Sequence, residues 1–390
     1  MKATLAERPH RLFFENEDTA QTLYEEARKA GLDRRSRVNE HLANTLRGHG
    51  VAGLFIDPER FLVCGSPSPS RISPRQGTAL HRAHFSDAAF ETVARSLAEG
   101  VGVRATARIQ NVDKKSVLLA LTKAGAHVAA VSSTLLVNLP VSECQLDEMW
   151  SFVGKKEKNL DAVEKLQRLM GDAWIWIAFD AVNKIVLAYV VGKRTLPHAV
   201  SLLKEVQRVT AHMPDLFSSD QLNHYAHALL QVYGKPIRPL RKPGPGRPPN
   251  PRLVPPPDLL YVHVVKQYKQ RRVVKVTRKV VFGDRERVEQ VLAASPVSRT
   301  INTSAIERNN GTIRHMDARC VRKTHRFSKC VENHKDQLAL TLAYYHMCRP
   351  HTTLTERHRQ PTTPFMAAGL TDRVWTMGEL LRFKVEKPCS

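Results

Sequence analysis

Cys144-Gln145-Leu146-Asp147-Glu148-Met149-Trp150-Ser151-Phe152-Val153 is a mostly apolar run with two acids at its centre, and it reads as a strand. A charge such as Asp147 among apolar neighbours is costly unless something, for instance a metal ion, neutralises it. Side chains alternate across a strand, so Glu148 is expected on the opposite face from Asp147. Downstream, residues 174–179 and 185–191 read as strands flanking the turn Asp180-Ala181-Val182-Asn183, where Asp180 is explained by local turn chemistry. Residues 196–212 form an amphipathic helical pattern. Phe217-Ser218-Ser219-Asp220 ends a short apolar strand that leads into a helix over 223–233. Two more strands are expected at 259–265 and 272–282, then helices at 301–314 and about 331–347. Strands alternating with helices predict a mixed α/β sheet with helices packed on it.

On the N-terminal side, three short helices are expected at 86–99, 103–110 and 113–130, separated by Gly100, Gly102 and the turn Asn111-Val112. Asp113 is placed to cap the third. This is helix-turn-helix spacing, with Lys114, Lys115 and Ser116 where a recognition helix meets phosphates or base edges; an ordinary three-helix packing unit fits the same pattern. The organisation read from the sequence is a region of unassigned role at 1–65, a Ser/Pro-rich linker at 66–85, the all-α helix-turn-helix domain at 86–135, and a catalytic α/β domain at 140–355 with a tail at 356–390. Within 1–65, helical patterns occupy 19–30 and 37–46, and strand-like runs occupy 51–56 and 61–64. A Pro-rich basic insert at 236–257 is expected to be extended or disordered. Its segment Arg241-Lys242-Pro243-Gly244-Pro245-Gly246-Arg247-Pro248-Pro249 loosely resembles a minor-groove AT-hook, although a flexible linker explains the same letters.

Lys and Arg number 60 against 37 Asp and Glu, a formal charge of +23 over 390 residues. A polyanion is the natural partner, and nucleic acid fits best. Residues 266–279 concentrate Lys266, Lys269, Arg271, Arg272, Lys275, Arg278 and Lys279 with no acid among them and include Tyr268; this stretch is expected along DNA, or else to be an edge strand protected by its charges. The cysteines, Cys64, Cys144, Cys320, Cys330, Cys348 and Cys389, include no Cys-x-x-Cys pair. A reducing compartment is expected and a zinc site is not. No run approaches the roughly 20 uninterrupted apolar residues of a membrane helix, and Met1-Lys2-Ala3-Thr4 lacks a secretory core, so a cytoplasmic protein with no membrane partner is expected.

Three acids have the setting that metal-dependent phosphoryl transfer needs. Asp147 lies mid-strand. Asp220 lies where a second strand ends, which is where open α/β sheets present ligands. Glu307 lies on a helix in Ser304-Ala305-Ile306-Glu307-Arg308-Asn309-Asn310, and Arg314 follows two turns later on the same face, where it could hold a phosphate. Each also has a local explanation: a strand-end ion-pair acid, a helix N-cap and a solvated helix residue, respectively. His315, His325 and His334 lie among basic residues and read as surface or phosphate-side histidines rather than ligands.

Residues 144 to about 355 resemble the Asp-Asp-Glu transposases of bacterial insertion sequences, specifically the insertion-sequence-one family. The resemblance is carried by residues 144–156 and by Trp174-Ile175-Trp176-Ile177-Ala178. It continues in Ile301-Asn302-Thr303-Ser304-Ala305-Ile306-Glu307-Arg308-Asn309-Asn310, and then in Val321-Arg322-Lys323-Thr324 and Phe327-Ser328-Lys329. It implies a ribonuclease-H-like fold, a triad of Asp147, Asp220 and Glu307 holding two Mg²⁺ (or Mn²⁺) ions, and Arg314 at the family's basic position. Arg322 and Lys323 are expected on DNA. The implied reaction is hydrolysis at the ends of an element followed by attack of the freed 3′-OH on target double-stranded DNA, by a homo-oligomer assembled on DNA in the bacterial nucleoid. Two departures stand out: residues 1–85 hold only Cys64 where the family has a zinc ribbon, and no glycine follows Asp220, which leaves Asp215 as the nearest substitute. A nuclease that cuts without joining, and a repressor that only binds DNA, are the competing readings.

Overall fold

The computed structural model describes residues 54–57, 60–63, 75–167, 170–239, 250–270 and 272–385. The chain divides into two compact units, 1–82 with 386–390, and 83–385. In the first, β1 (Leu54–Asp57) and β2 (Arg60–Val63) pair as an antiparallel hairpin, Leu54 opposite Val63. The helices expected at 19–30 and 37–46 lie outside the described residues.

The second unit opens with α1 (Asp87–Ala98), α2 (Val103–Ile109) and α3 (Lys114–Leu135). Asp113 caps α3, its side chain accepting from the backbone N–H of Lys115 at 2.7 Å. Asn111 takes a positive φ of 50° in the turn before it. The sheet strands are β3 (Glu143–Val153), β4 (Gly171–Asp180), β5 (Ile185–Gly192) and β6 (Leu216–Ser219). After the short pair β7 (Lys235–Ile237) and β8 (Arg252–Val254) come β9 (Tyr261–Lys269) and β10 (Arg272–Phe282). Between strands lie α4 (Ala162–Gln167), α5 (Leu196–Val209) and α6 (Asn223–Tyr233). The chain continues through α7 (Arg285–Ala294), α8 (Ser304–Met316), α9 (Val331–Met347), α10 (Thr352–His358), α11 (Pro364–Ala367) and α12 (Met377–Arg382).

The six strands run in the order β10-β9-β6-β3-β4-β5. β3, β4 and β5 are antiparallel neighbours, β6 joins β3 in parallel, β9 joins β6 in parallel, and β10 closes the edge antiparallel. With helices on both faces, this mixed sheet is consistent with the ribonuclease-H-like fold expected from the sequence. Alternation along β4 explains the layering. Ile175, Ile177 and Phe179 enter a core with Ile306 and Ile313 of α8 and Leu338 and Leu342 of α9. Trp176, on the other face, meets Tyr225 of α6 edge-on at 5.5 Å.

The three N-terminal helices are not a free module. α3 packs along α9, and the approach is so close that a Cβ on Gly125 would lie 2.6 Å from Cα of Asp336. α3 is long and apolar enough, by length and composition, to cross a membrane; its apolar side, with Val117, Leu121, Ala124, Val128 and Val131, is buried in the fold. The segment read as a C-terminal tail also packs: Met377, Leu380 and Leu381 are buried, and the Leu380 carbonyl meets His127 Nε2 at 3.2 Å. The ends of the Pro-rich insert form the β7–β8 pair, extended as expected; residues 240–249 lie outside the described ones. Helix α7 was not anticipated, although Asp284 caps it by accepting from the N–H groups of Glu286 and Arg287.

Candidate active site: carboxylates at an open strand edge

β6 is four residues long and pairs with β3 only from Glu143 to Leu146. Asp147 and Glu148 therefore lie just past the point where β6 stops, and Asp220 is the residue that follows β6. One carboxylate oxygen each from Asp147, Glu148 and Asp220 lies within 4.8 Å of the others. The sequence placed Glu148 on the far face from Asp147, and their helix partners bear that out. Asp147 Oδ2 accepts from Nδ2 of Asn310 on α8 at 2.7 Å, whereas Glu148 Oε2 accepts from the Tyr225 hydroxyl on α6 at 3.1 Å. The two carboxylates converge nonetheless, because no neighbouring strand separates them along the edge that β6 leaves open.

Convergence of acids has an electrostatic consequence. Burial, then the charges of Glu148, Asp220 and Glu307, push the Asp147 carboxyl up to about 7 against the backbone N–H bond from Glu148. Burial, then Asp220, also raises Glu148, while the Arg194 guanidinium offsets part of that rise. Arg194 Nε donates to Glu148 Oε1 at 2.8 Å and stacks 4.8 Å from the Trp174 ring. Hard oxygen donors crowded together with incomplete charge compensation fit a divalent cation.

Glu307 stands at the side of this cluster. Its helix start is fixed from the sheet, because Gln145 of β3 accepts from the Ile306 N–H at 2.9 Å and donates to the Asn302 carbonyl at 3.2 Å. Glu307 Oε1 accepts from the Thr303 hydroxyl at 2.7 Å and is ion-paired with Lys266 of β9. Of the alternatives, Asp180 is a turn cap, bonded to the N–H groups of Val182 and Asn183. Asp215 precedes β6, so it is some five residues from Asp220, about 16 Å at strand rise.

Of the residues expected on DNA, Lys114 and Lys115 are exposed at the start of α3 and Ser116 is half-buried. Lys269, Arg272, Lys275, Arg278 and Lys279 are exposed on the β9–β10 ribbon with Tyr268, while Arg278 Nε also donates to the Ile301 carbonyl at 2.8 Å. Lys266 is occupied by Glu307, and Arg271 lies outside the described residues, as does the whole AT-hook-like segment. Arg322 and Lys323 are exposed. Arg314 is half-buried and binds local backbone, donating to the carbonyls of Cys320 at 2.9 Å and Trp150 at 3.4 Å. His315 and His325 are exposed, but His334 is a core residue. It lies between the hydroxyls of Ser151 (2.9 Å) and Ser328 (3.1 Å), and burial, reinforced by Arg319, holds it down to about 4.

Glu148, Asn310 and Tyr225 escaped the sequence reading as members of this site. The usable signal was the shortness of β6, which uncovers both faces of β3 at once.

No family model matches the chain, and no curated protein does. Solved structures similar to it include a Mos1 strand transfer complex, with 10% identity over 55% of this chain and 73% of that chain at a TM-score of 0.15. They also include a Mos1 transposase paired-end complex with the left transposon end, with 10% identity over 56% and 76% at a TM-score of 0.16. At such TM-scores the likeness fixes neither fold nor activity.

Proposed function

We propose that the chain is an insertion-element transposase of the insertion-sequence-one kind, cutting and joining DNA strands at Asp147, Asp220 and Glu307. The observation that carries this reading is the convergence of Asp147, from the centre of β3, with Asp220, from the end of β6, on one cluster of oxygens. The basic ribbon and the net charge of +23 supply the attraction for phosphate. Asp147 and Asp220 are the core of the metal site, Glu148 offers a third oxygen, and Glu307 joins when Lys266 turns to DNA. Two Mg²⁺ or Mn²⁺ ions held there would activate water or a 3′-OH and neutralise the departing oxygen. The chain's own residues orient the strand: Lys269, Arg272, Lys275 and Lys279 on the ribbon, Arg322 and Lys323 beyond α8, and Lys114, Lys115 and Ser116 on the helix-turn-helix unit. Element ends and target are double-stranded DNA, bound by a homo-oligomer in the bacterial cytoplasm at the nucleoid, and no zinc is required.

The test is joining. Full-length protein is incubated with a plasmid carrying the DNA that flanks its gene, in Mg²⁺ or Mn²⁺, and new junctions are sequenced. Junctions at defined ends support the reading, cleavage without junctions replaces it with a nuclease, and binding alone replaces it with a repressor.

A further inference from the structure

Glu148, Trp150 and Phe152 occupy alternate positions of β3 and so share one face, forming a strip that leads away from the carboxylate cluster. The Trp150 and Phe152 rings are 5.7 Å apart at 29°. Phe327, from the loop after α8, extends the row 4.9 Å beyond Phe152 at 33°. Neighbouring rings lie within about a third of a right angle of one another, and at these spacings they pack face on face; Phe152, in the middle, is buried, while Trp150 and Phe327 are half-buried. Trp174 lies directly across from Trp150 in the β3–β4 register.

Cations border this shelf. Lys156 Nζ lies 5.5 Å from the centroids of both Trp150 and Phe152, Lys329 Nζ lies 3.8 Å from that of Phe327, and Arg194 covers Trp174. Lys156 makes no ion pair among the described residues, and Lys329 is exposed. Near-parallel rings bordered by free ammonium groups are what single-stranded nucleic acid binds, bases on the rings and phosphates on the cations. A paired base hides its faces in the stack, so the rings can be reached only by a base that has left it.

We propose that Trp150 and Phe327, propped by buried Phe152 between them, form a stacking shelf for unpaired bases of the DNA strand next to the cleavage position, with Lys156 and Lys329 on its phosphates. The shelf begins two residues from Glu148, so a strand lying on it runs straight into the carboxylate cluster. Lys156 is the movable cover: its stem slides aside when a base takes its place over Trp150. The inference rests on the DNA-processing reading above and adds that the terminal base pairs open before cutting.

The experiment compares a blunt duplex with the same duplex carrying a three-nucleotide unpaired tail that contains 2-aminopurine. Affinity is read by anisotropy and stacking by quenching of the aminopurine. Full-length wild type is expected to prefer the tailed DNA by about tenfold, the scale of stacking on one or two rings, and to quench the probe. Trp150→Leu and Phe327→Leu lose preference and quenching but keep blunt-duplex affinity; Lys156→Gln, a substitution on the surface side of the rings, keeps the quenching and lowers tail affinity. Equal affinity of wild type for both DNAs without quenching overturns the shelf while leaving the DNA reading intact. Binding to neither DNA overturns both.

Discussion

Asn310 Nδ2 donates to Asp147 Oδ2 at 2.7 Å, tying the third residue after Glu307 on α8 to the central acid of β3. One helix thus carries both a candidate ligand and the group that orients another. A buried donor holding a carboxylate fixes which of its lone pairs faces the metal.

Asn310→Ala is therefore expected to raise the Mn²⁺ concentration that half-saturates DNA cleavage by roughly 10- to 100-fold, with DNA affinity unchanged. An unaltered Mn²⁺ curve would remove Asn310 from the site.

Lys266 and Glu307 form an ion pair whose side chains are 29% and 46% exposed, so it contributes about 1 kcal/mol or less to stability. While Lys266 holds Glu307, that carboxylate stands apart from the oxygens of Asp147, Glu148 and Asp220, and on the proposed function it joins them when the pair opens. Lys266→Gln should leave the melting temperature almost unchanged and lower the Mn²⁺ requirement for cleavage. A higher requirement would mean that Lys266 assembles the site instead.

Asp147 makes the metal-free protein pH-sensitive. Its carboxyl is raised to about 7 by burial and neighbouring acids, so the native chain holds a proton that the unfolded chain has released. Stability from this group is complete below about pH 4 and is lost as pH rises to about 7, by at most ~4 kcal/mol. Metal-free protein should melt lower at pH 8 than at pH 5 through this group, Mg²⁺ should recover the loss at pH 8, and Asp147→Asn should abolish both effects. A melting temperature at pH 8 indifferent to Mg²⁺ in the wild type would contradict this.

His334 and His346 act in the opposite direction. Burial, with Arg319, holds the first to about 4, and burial holds the second to about 3; His346 Nε2 accepts the Val186 N–H at 3.0 Å, so the ring is neutral in the fold. Stability is present above the ordinary histidine value near 6.5 and is lost as pH falls from there toward 4, by about 3 kcal/mol per histidine at most. Melting curves from pH 7 to 4 should be flatter for His334→Gln, whose amide can still bond Ser151 and Ser328. An equally steep loss in the variant would place the acid sensitivity elsewhere.

Much of this was legible before the structure. The apolar periods at 144–153, 174–179 and 185–191 place the three antiparallel strands to within a few residues, and Asp113 marks the start of α3, because local alternation and capping are encoded locally. Asp220 was legible at the end of a short strand and Asp147 in the middle of another, while their pairing was expected from the family resemblance; the structure brings their oxygens together with that of Glu148. What was not legible is set by distant contacts. Glu148 meets Asp147 where β6 stops early, and Glu307 is ion-paired with a lysine 41 residues upstream. Arg314 faces backbone carbonyls created by the loop at Cys320. His334 looks basic and exposed in sequence, yet Ser151 and Ser328 enclose it. Helix α7 went unread because Arg285, Glu286, Arg287 and Glu289 crowd its first turns and only Val288 and Leu292 are buried, too few to show a helical period.

Cleavage of duplex DNA in Mn²⁺ tests the central claim most directly, with wild type, Asp147→Asn, Asp220→Asn and Glu307→Gln compared at equal DNA occupancy. The account predicts that wild type cleaves, that chelation stops it, and that each of the three variants binds DNA normally while cleaving at least about a hundredfold more slowly. Full cleavage by Asp147→Asn or Asp220→Asn would contradict it, since the chemistry would then lie away from the open edge of β3.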